Sequence, residues 1–99
     1  MKSKKIRDSA RGEECTMQVF GVCNHNTDTT VYAHLNYEGG AMGAKSPDYS
    51  GCYACSDCHD FLDGRNYYEH PEKKEIEWYK GRALQRTVKR LLEKGVYKV

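Results

Sequence analysis

Residues 54–65 read ACSDCHDFLDGR. Cys55 and Cys58 stand two residues apart, His59 follows at once, and Asp63 comes four residues later. A Cys-x-x-Cys pair is a common half of a structural zinc site, because the short spacing brings two thiolates to one side of a small ion. His59 and Asp63 belong to a different pattern. Positions four apart on a helix share a face, so this pair can grip a second ion together. Cys58 lies one position earlier, about a hundred degrees round the helix, and faces elsewhere. One short helix can then serve two metals, provided the rest of the chain supplies the missing ligands.

The rest of the chain is short. Its 99 residues, 38% hydrophobic and 30% charged, suffice for one domain with a thin core. Domains of this size commonly need disulfides or a structural metal as a staple. The five cysteines decide between them, since an odd count does not suit a closed disulfide framework. The start, MKSKKIRDSARGEE, has no apolar stretch after its basic residues and does not read as a signal peptide. No segment reaches the length of a membrane span. The expectation is a cytoplasmic, reducing setting with no membrane partner, where paired cysteines bind metal rather than each other.

Cys15 and Cys23, with seven residues between them, supply the second pair. Cys15, Cys23, Cys55 and Cys58 are the expected ligands of a structural zinc ion whose binding energy is folding energy. The first pair is looser than usual, and His25 offers a substitute ligand; buried free cysteines are the alternative. Cys52 is left over as a packing residue.

Along the chain, residues 1–12 form a basic arm that orders only if it docks. Residues 15–23, CTMQVFGVC, read as a short strand or knuckle ending in a turn. TTVYAHL at 29–35 is the clearest strand, β-branched and aromatic. Residues 36–51 are glycine-rich and read as a long functional loop. Ser56 or Asp57 can cap a short helix through Leu62 that closes at Gly64. Pro71 opens a long helix running to about Lys94, with Gly95 as its stop. Its apolar residues Ile76, Tyr79, Ala83, Leu84, Val88, Leu91 and Leu92 keep helical spacing and predict a core face.

The expected organisation is therefore an arm at 1–12, a zinc-bound core at 13–70 and a basic amphipathic helix at 71–99. Of the 16 lysines and arginines, those before residue 12 and after residue 72 leave only Lys45 and Arg65 in the middle. Two basic flanks around a metal-bearing centre suit a polyanion, although such residues also simply solvate a helix face. His34, ending the clear strand, can act as a general base in neutral form. A strand histidine is also a common satisfied core or surface group.

Taken together, these residues resemble the HNH, or ββα-metal, nuclease motif. In that pattern a strand ends in a histidine preceded by Asp or His, a glycine-rich loop and an asparagine follow, and Cys-x-x-Cys-His opens a helix. The counterparts are Ala33-His34, the loop with Gly39-Gly40, and Cys55-Ser-Asp-Cys58-His59. More closely, GVCNHN, TTVYAHLN, YACSDCHDFLDGR and ALQRTVKRLLEKG resemble the small phage and prophage HNH nuclease family of the YbcO type. The resemblance implies an α+β fold, a small zinc-stapled ββα-metal (HNH-like) domain, here with an added C-terminal long helix. It implies His34 as the base that activates water, His59 as ligand of a catalytic divalent ion, and the cysteines as zinc ligands. Ala33 cannot ligate as the usual Asp or His would, and Ser50, with Asp48 nearby, stands where the pattern has asparagine. Asp63 is expected to replace the lost ligand.

The expected function is a metal-dependent DNA endonuclease using Mg2+ or Mn2+, with Lys80, Arg82, Arg86, Lys89 and Arg90 on backbone phosphates. A non-catalytic zinc module binding nucleic acid or a recombination protein is the alternative, and a nuclease active only on a recombinase filament is a third. Trp78, Tyr79, Tyr67 and Tyr68 read as core, DNA-stacking or dimer residues.

Overall fold

A run of β-branched and aromatic residues needs a partner strand to bury its backbone, and the partner comes from an unexpected place. In the computed structural model, which describes residues 3–35, 48–63 and 73–97, β1 (Val31–His34) pairs antiparallel with β2 (Gly51–Ala54). Around this hairpin lie α1 (Lys4–Asp8), α2 (Ser56–Asp63) and α3 (Lys73–Glu93), with a 3-10 turn at Thr27–Thr29. The result is a compact α+β domain. Pro71, Gly64, Tyr67, Tyr68 and the glycine-rich loop at 36–47 lie outside the described residues.

The register sets the layers. Ala33 faces Cys52, Tyr32 faces Tyr53, and His34 faces Gly51. Ala33, Cys52 and Ala54 pack with Met17, Val19, Phe61, Ala83 and the cysteines in one core cluster. Tyr53 packs in a second cluster with Ile6, Ala10 and Leu91, against which Tyr32, Val96 and Tyr97 rest. The hairpin is thus covered on both faces, so all four residues of β2 are buried. A strand buried on both sides shows no polar alternation, which is why GCYA does not stand out in the sequence.

Residues 15–23, by contrast, form no strand. Thr16 alone joins the free edge of β2, its amide and hydroxyl both donating to the Tyr53 carbonyl at 2.8 Å. The chain then turns away through positive φ at Gln18 (45°) and Gly21 (76°). The other free group on that edge, the Tyr53 amide, donates to the Thr87 hydroxyl of α3 at 3.1 Å. Thr87 in turn bonds Thr16 at 2.8 Å, so a buried threonine on an otherwise apolar helix stripe has both its roles filled.

From residue 3 onward the basic arm is docked. Ser3 caps α1 through its side chain, Ile6 and Ala10 are buried, and Ser9 hydrogen-bonds the Tyr53 hydroxyl at 2.8 Å. On α3, Ala83 and Leu91 are buried, Ile76, Tyr79 and Leu84 pack against the first core cluster, and Leu92 is exposed. The helix stops at Gly95 (φ 75°), where the Val96 amide reaches the Leu91 carbonyl and the Gly95 amide that of Leu92. That double bond pattern with a left-handed glycine is the Schellman stop. No helix among the described residues is long and apolar enough to cross a membrane.

Gly51 is the tightest point of the hairpin: a Cβ there would lie 2.5 Å from the Tyr32 ring and 2.7 Å from the Ala33 carbonyl oxygen. Since the carbonyl belongs to the paired strand and cannot swing aside, Gly51→Ala is expected to cost about 1–3 kcal/mol. Urea denaturation measures this as a lowered midpoint with unchanged slope.

Candidate metal centre and histidine–carboxylate pairs

The four cysteines expected to share an ion come from three parts of the fold. Cys15 and Cys23 bound the turn-rich knuckle, Cys55 joins β2 to α2, and Cys58 lies in the first turn of α2. Their sulfurs all fall within 4.8 Å of one another, with Cys23 and Cys55 at 3.8 Å. Four ligands at about 2.3 Å in a tetrahedron would stand about 3.8 Å apart, so the donor set fits a structural zinc. Cys15 accepts the Gln18 amide and Cys55 the Cys58 amide, each at 3.4 Å. Such amide bonds favour thiolates and orient them. They also explain the start of α2: Cys55 fills the capping position that the sequence suggests for Ser56 or Asp57.

Without a cation these sulfurs compete for charge. A hydrogen bond from the Cys58 thiol holds Cys15 down at about 5, and the same bond, with burial, pushes Cys58 upward. Burial raises Cys23 to about 11. Four thiolates together need a dication to neutralise them. His25 hydrogen-bonds the Cys23 sulfur at 3.7 Å. Cys52, buried in the same core, has its thiol raised to about 12 by burial and lies outside the four-cysteine group.

The basic face of α3 grips this knuckle. Arg82 donates to the carbonyls of Met17 (2.7 Å) and Gln18 (3.3 Å), and Arg86 to that of Thr16 (3.4 Å) and to the Gln18 side chain (3.2 Å). Arg90 meets Glu13 at 2.9 Å and Glu14 at 3.4 Å, while Lys94 reaches Glu13 at 2.7 Å. Three of the five cations expected on phosphates therefore also close the segment that carries Cys15. Lys80 pairs with Glu77 at 3.3 Å, and Lys89 is exposed.

His34, at the end of β1, is held by Asp48: its Nε2 lies 2.8 Å from Oδ1. The sequence places Asp48 only near the vacant asparagine position; its role comes from folding, which lays the residues before β2 beside the end of β1. The Asp48 side chain is 6% exposed. Its other oxygen accepts the Ser3 amide and lies 3.5 Å from Arg7 Nε, and its carbonyl accepts from the Tyr32 hydroxyl. Burial opposes its charge, yet the bonds from His34 and Ser3, with Arg7 beside them, hold its carboxyl below the usual carboxylate range. On α2, His59 Nε2 and Asp63 Oδ2 meet at 3.2 Å, sharing a helix face as their spacing requires.

Two outcomes test these sites. Zinc-loaded protein is expected to carry one zinc per chain by elemental analysis. Cys55→Ser should lose the metal and the cooperative thermal transition, whereas Cys52→Ala should keep the metal. Asp48→Asn should cost about 1–3 kcal/mol at neutral pH, because the buried amide lacks the charge that His34, Arg7 and the Ser3 amide are placed to meet. Because the folded carboxyl titrates below its unfolded value, that stabilisation is present above about pH 4 and disappears as the pH falls through the folded value. The wild-type and variant stability curves should converge in acid.

Comparison with known proteins places the chain among its relatives. The family model described as "Putative nuclease YbcO" matches residues 4–96. Proteins named "Putative nuclease YbcO" from Escherichia coli (strain K12) and "Putative nuclease ybcO" from Enterobacteria phage 82 are each 44% identical over 64 residues, 64% of this chain and 67% of theirs. A solved structure of a "putative bacteriophage protein" from E. coli K-12 superposes with a TM-score of 0.76 at 34% identity, over 92% of this chain and all of that one. The chain belongs to the YbcO family of phage and prophage proteins.

Proposed function

We propose that the protein is a metal-dependent DNA endonuclease of the HNH, or ββα-metal, type, acting in phage or prophage recombination or DNA processing. The observation that carries this reading is the bond between His34 and buried Asp48, at the end of a hairpin that leads directly into the helix of His59 and Asp63. An ionised carboxylate can only accept, so Nε2 carries the ring proton and Nδ1 keeps a lone pair. That tautomer suits a general base. Nδ1 takes a proton from water as its oxygen attacks phosphorus, and Asp48 stabilises the imidazolium that forms.

The separation of His59 and Asp63, 3.2 Å, suits neighbouring corners of an octahedron about an ion at roughly 2.1 Å. Mg2+ or Mn2+ held by that pair would neutralise charge on the phosphate and on the departing 3′ oxygen. Exposed Lys4, Lys5, Arg7, Arg11 and Lys89 would meet backbone phosphates, giving affinity that falls with salt and discriminates little between sequences.

One observation favours a second reading. Ala33, 1% exposed in the core, stands where the motif has a ligating side chain, as would suit a zinc module that binds DNA without cutting it. Digestion of plasmid and single-stranded DNA with Mg2+ or Mn2+ separates the two. The nuclease reading expects cleavage that falls about 100-fold or more in His34→Ala. Equal activity of variant and wild type contradicts the base, and salt-sensitive binding without cleavage under any metal supports the module.

A further inference from the structure

Two large aromatic side chains that stand in water are both tied to Tyr79. Phe20, on the outer turn of the cysteine knuckle, is 93% exposed, and Trp78, on α3, is 59% exposed. Tyr79 links them. Its hydroxyl accepts the Phe20 amide at 3.3 Å, and its ring centroid is 5.1 Å from that of Trp78. Tyr79 is itself anchored edge-on against Phe61 at 6.4 Å, so the group is mounted on the core. The Arg82 guanidinium sits 4.6 Å from the Trp78 ring centre and 5.3 Å from that of Tyr79, fixed by the Met17 and Gln18 carbonyls. A nearly fully solvated phenylalanine and a half-exposed tryptophan bury little for the fold, and exposed aromatic groups tied to one anchor point to a contact surface.

We propose that Phe20, Trp78 and Arg82 form a stacking platform for the unpaired bases of single-stranded DNA. The proposal rests on the nucleic-acid reading above and names the form of substrate. Exposed rings with cations close by are what single strands require: every base offers a π-face, and the phosphates between bases need positive charge. Duplex DNA keeps those faces stacked inside the helix. Charge favours a polyanion over a second copy of this chain. Glu77 is paired to Lys80, Arg86 follows Arg82 one turn on, and exposed Lys89 lies beyond. A symmetric dimer through the platform would bring these cations against each other.

Trp78 is the sole tryptophan of the chain and so reports directly on the platform. The zinc-loaded protein is mixed with oligo-dT of about 20 nucleotides, or with a duplex of equal length, without added Mg2+ or Mn2+. The expected result is quenching of Trp78 emission by the single strand and little by the duplex. Phe20→Ala should weaken single-strand affinity about tenfold while leaving zinc content and melting temperature unchanged. His34→Ala should quench as wild type does, so loss of cleavage and loss of stacking are read separately. Three results overturn the proposal. They are unchanged emission on a strand that anisotropy shows to be bound, equal single-strand affinity in Phe20→Ala, and DNA-free dimerisation that Phe20→Ala abolishes.

Discussion

Four sulfurs gathered within 4.8 Å of one another stand where this fold most needs a staple. The cluster ties a knuckle with few regular backbone bonds of its own to the junction where β2 becomes α2. A chain of this length buries little apolar surface with which to fix those parts by packing alone, and a dication shared by four thiolates would supply the missing folding energy. The constraint reaches past the cluster. Cys55 follows β2 directly and caps α2, so a metal bound there would brace the junction between hairpin and helix.

Around the staple, polar groups close the places where a two-stranded sheet would otherwise be left open. Thr16 and Thr87 satisfy the outer edge of β2, and the arginine ladder of α3 holds the carbonyls of the knuckle. Asp48 does a related task at the other end of the hairpin, joining α1 to His34. Removing any one buried partner would strand the other, which gives these polar contacts more weight than their number suggests.

Much of this was readable in the residues because its signals are local. The Cys-x-x-Cys spacing, the short helix after it (though not its cap), the strand at Val31–His34, and the apolar stripe with Gly95 as stop all act within a turn or two of chain. What stayed hidden depends on partners far away in sequence. Gly51–Ala54 is covered on both faces and shows no alternation. KKIRD becomes a helix only because Ile6 finds a site on Tyr53 and Leu91. Arg82, Arg86 and Arg90 look like a solvated or phosphate-binding face until the knuckle carbonyls and Glu13 are brought beneath them. Asp48 falls in turn material, and nothing nearby shows that it will meet His34.

The claim on which the rest stands is that one metal is held by all four cysteines. X-ray absorption at the zinc edge of the purified protein tests it directly. Four sulfur neighbours at about 2.3 Å are predicted. A shell of three sulfurs with one nitrogen at about 2.0 Å would place His25 in the site instead of one cysteine and contradict the arrangement.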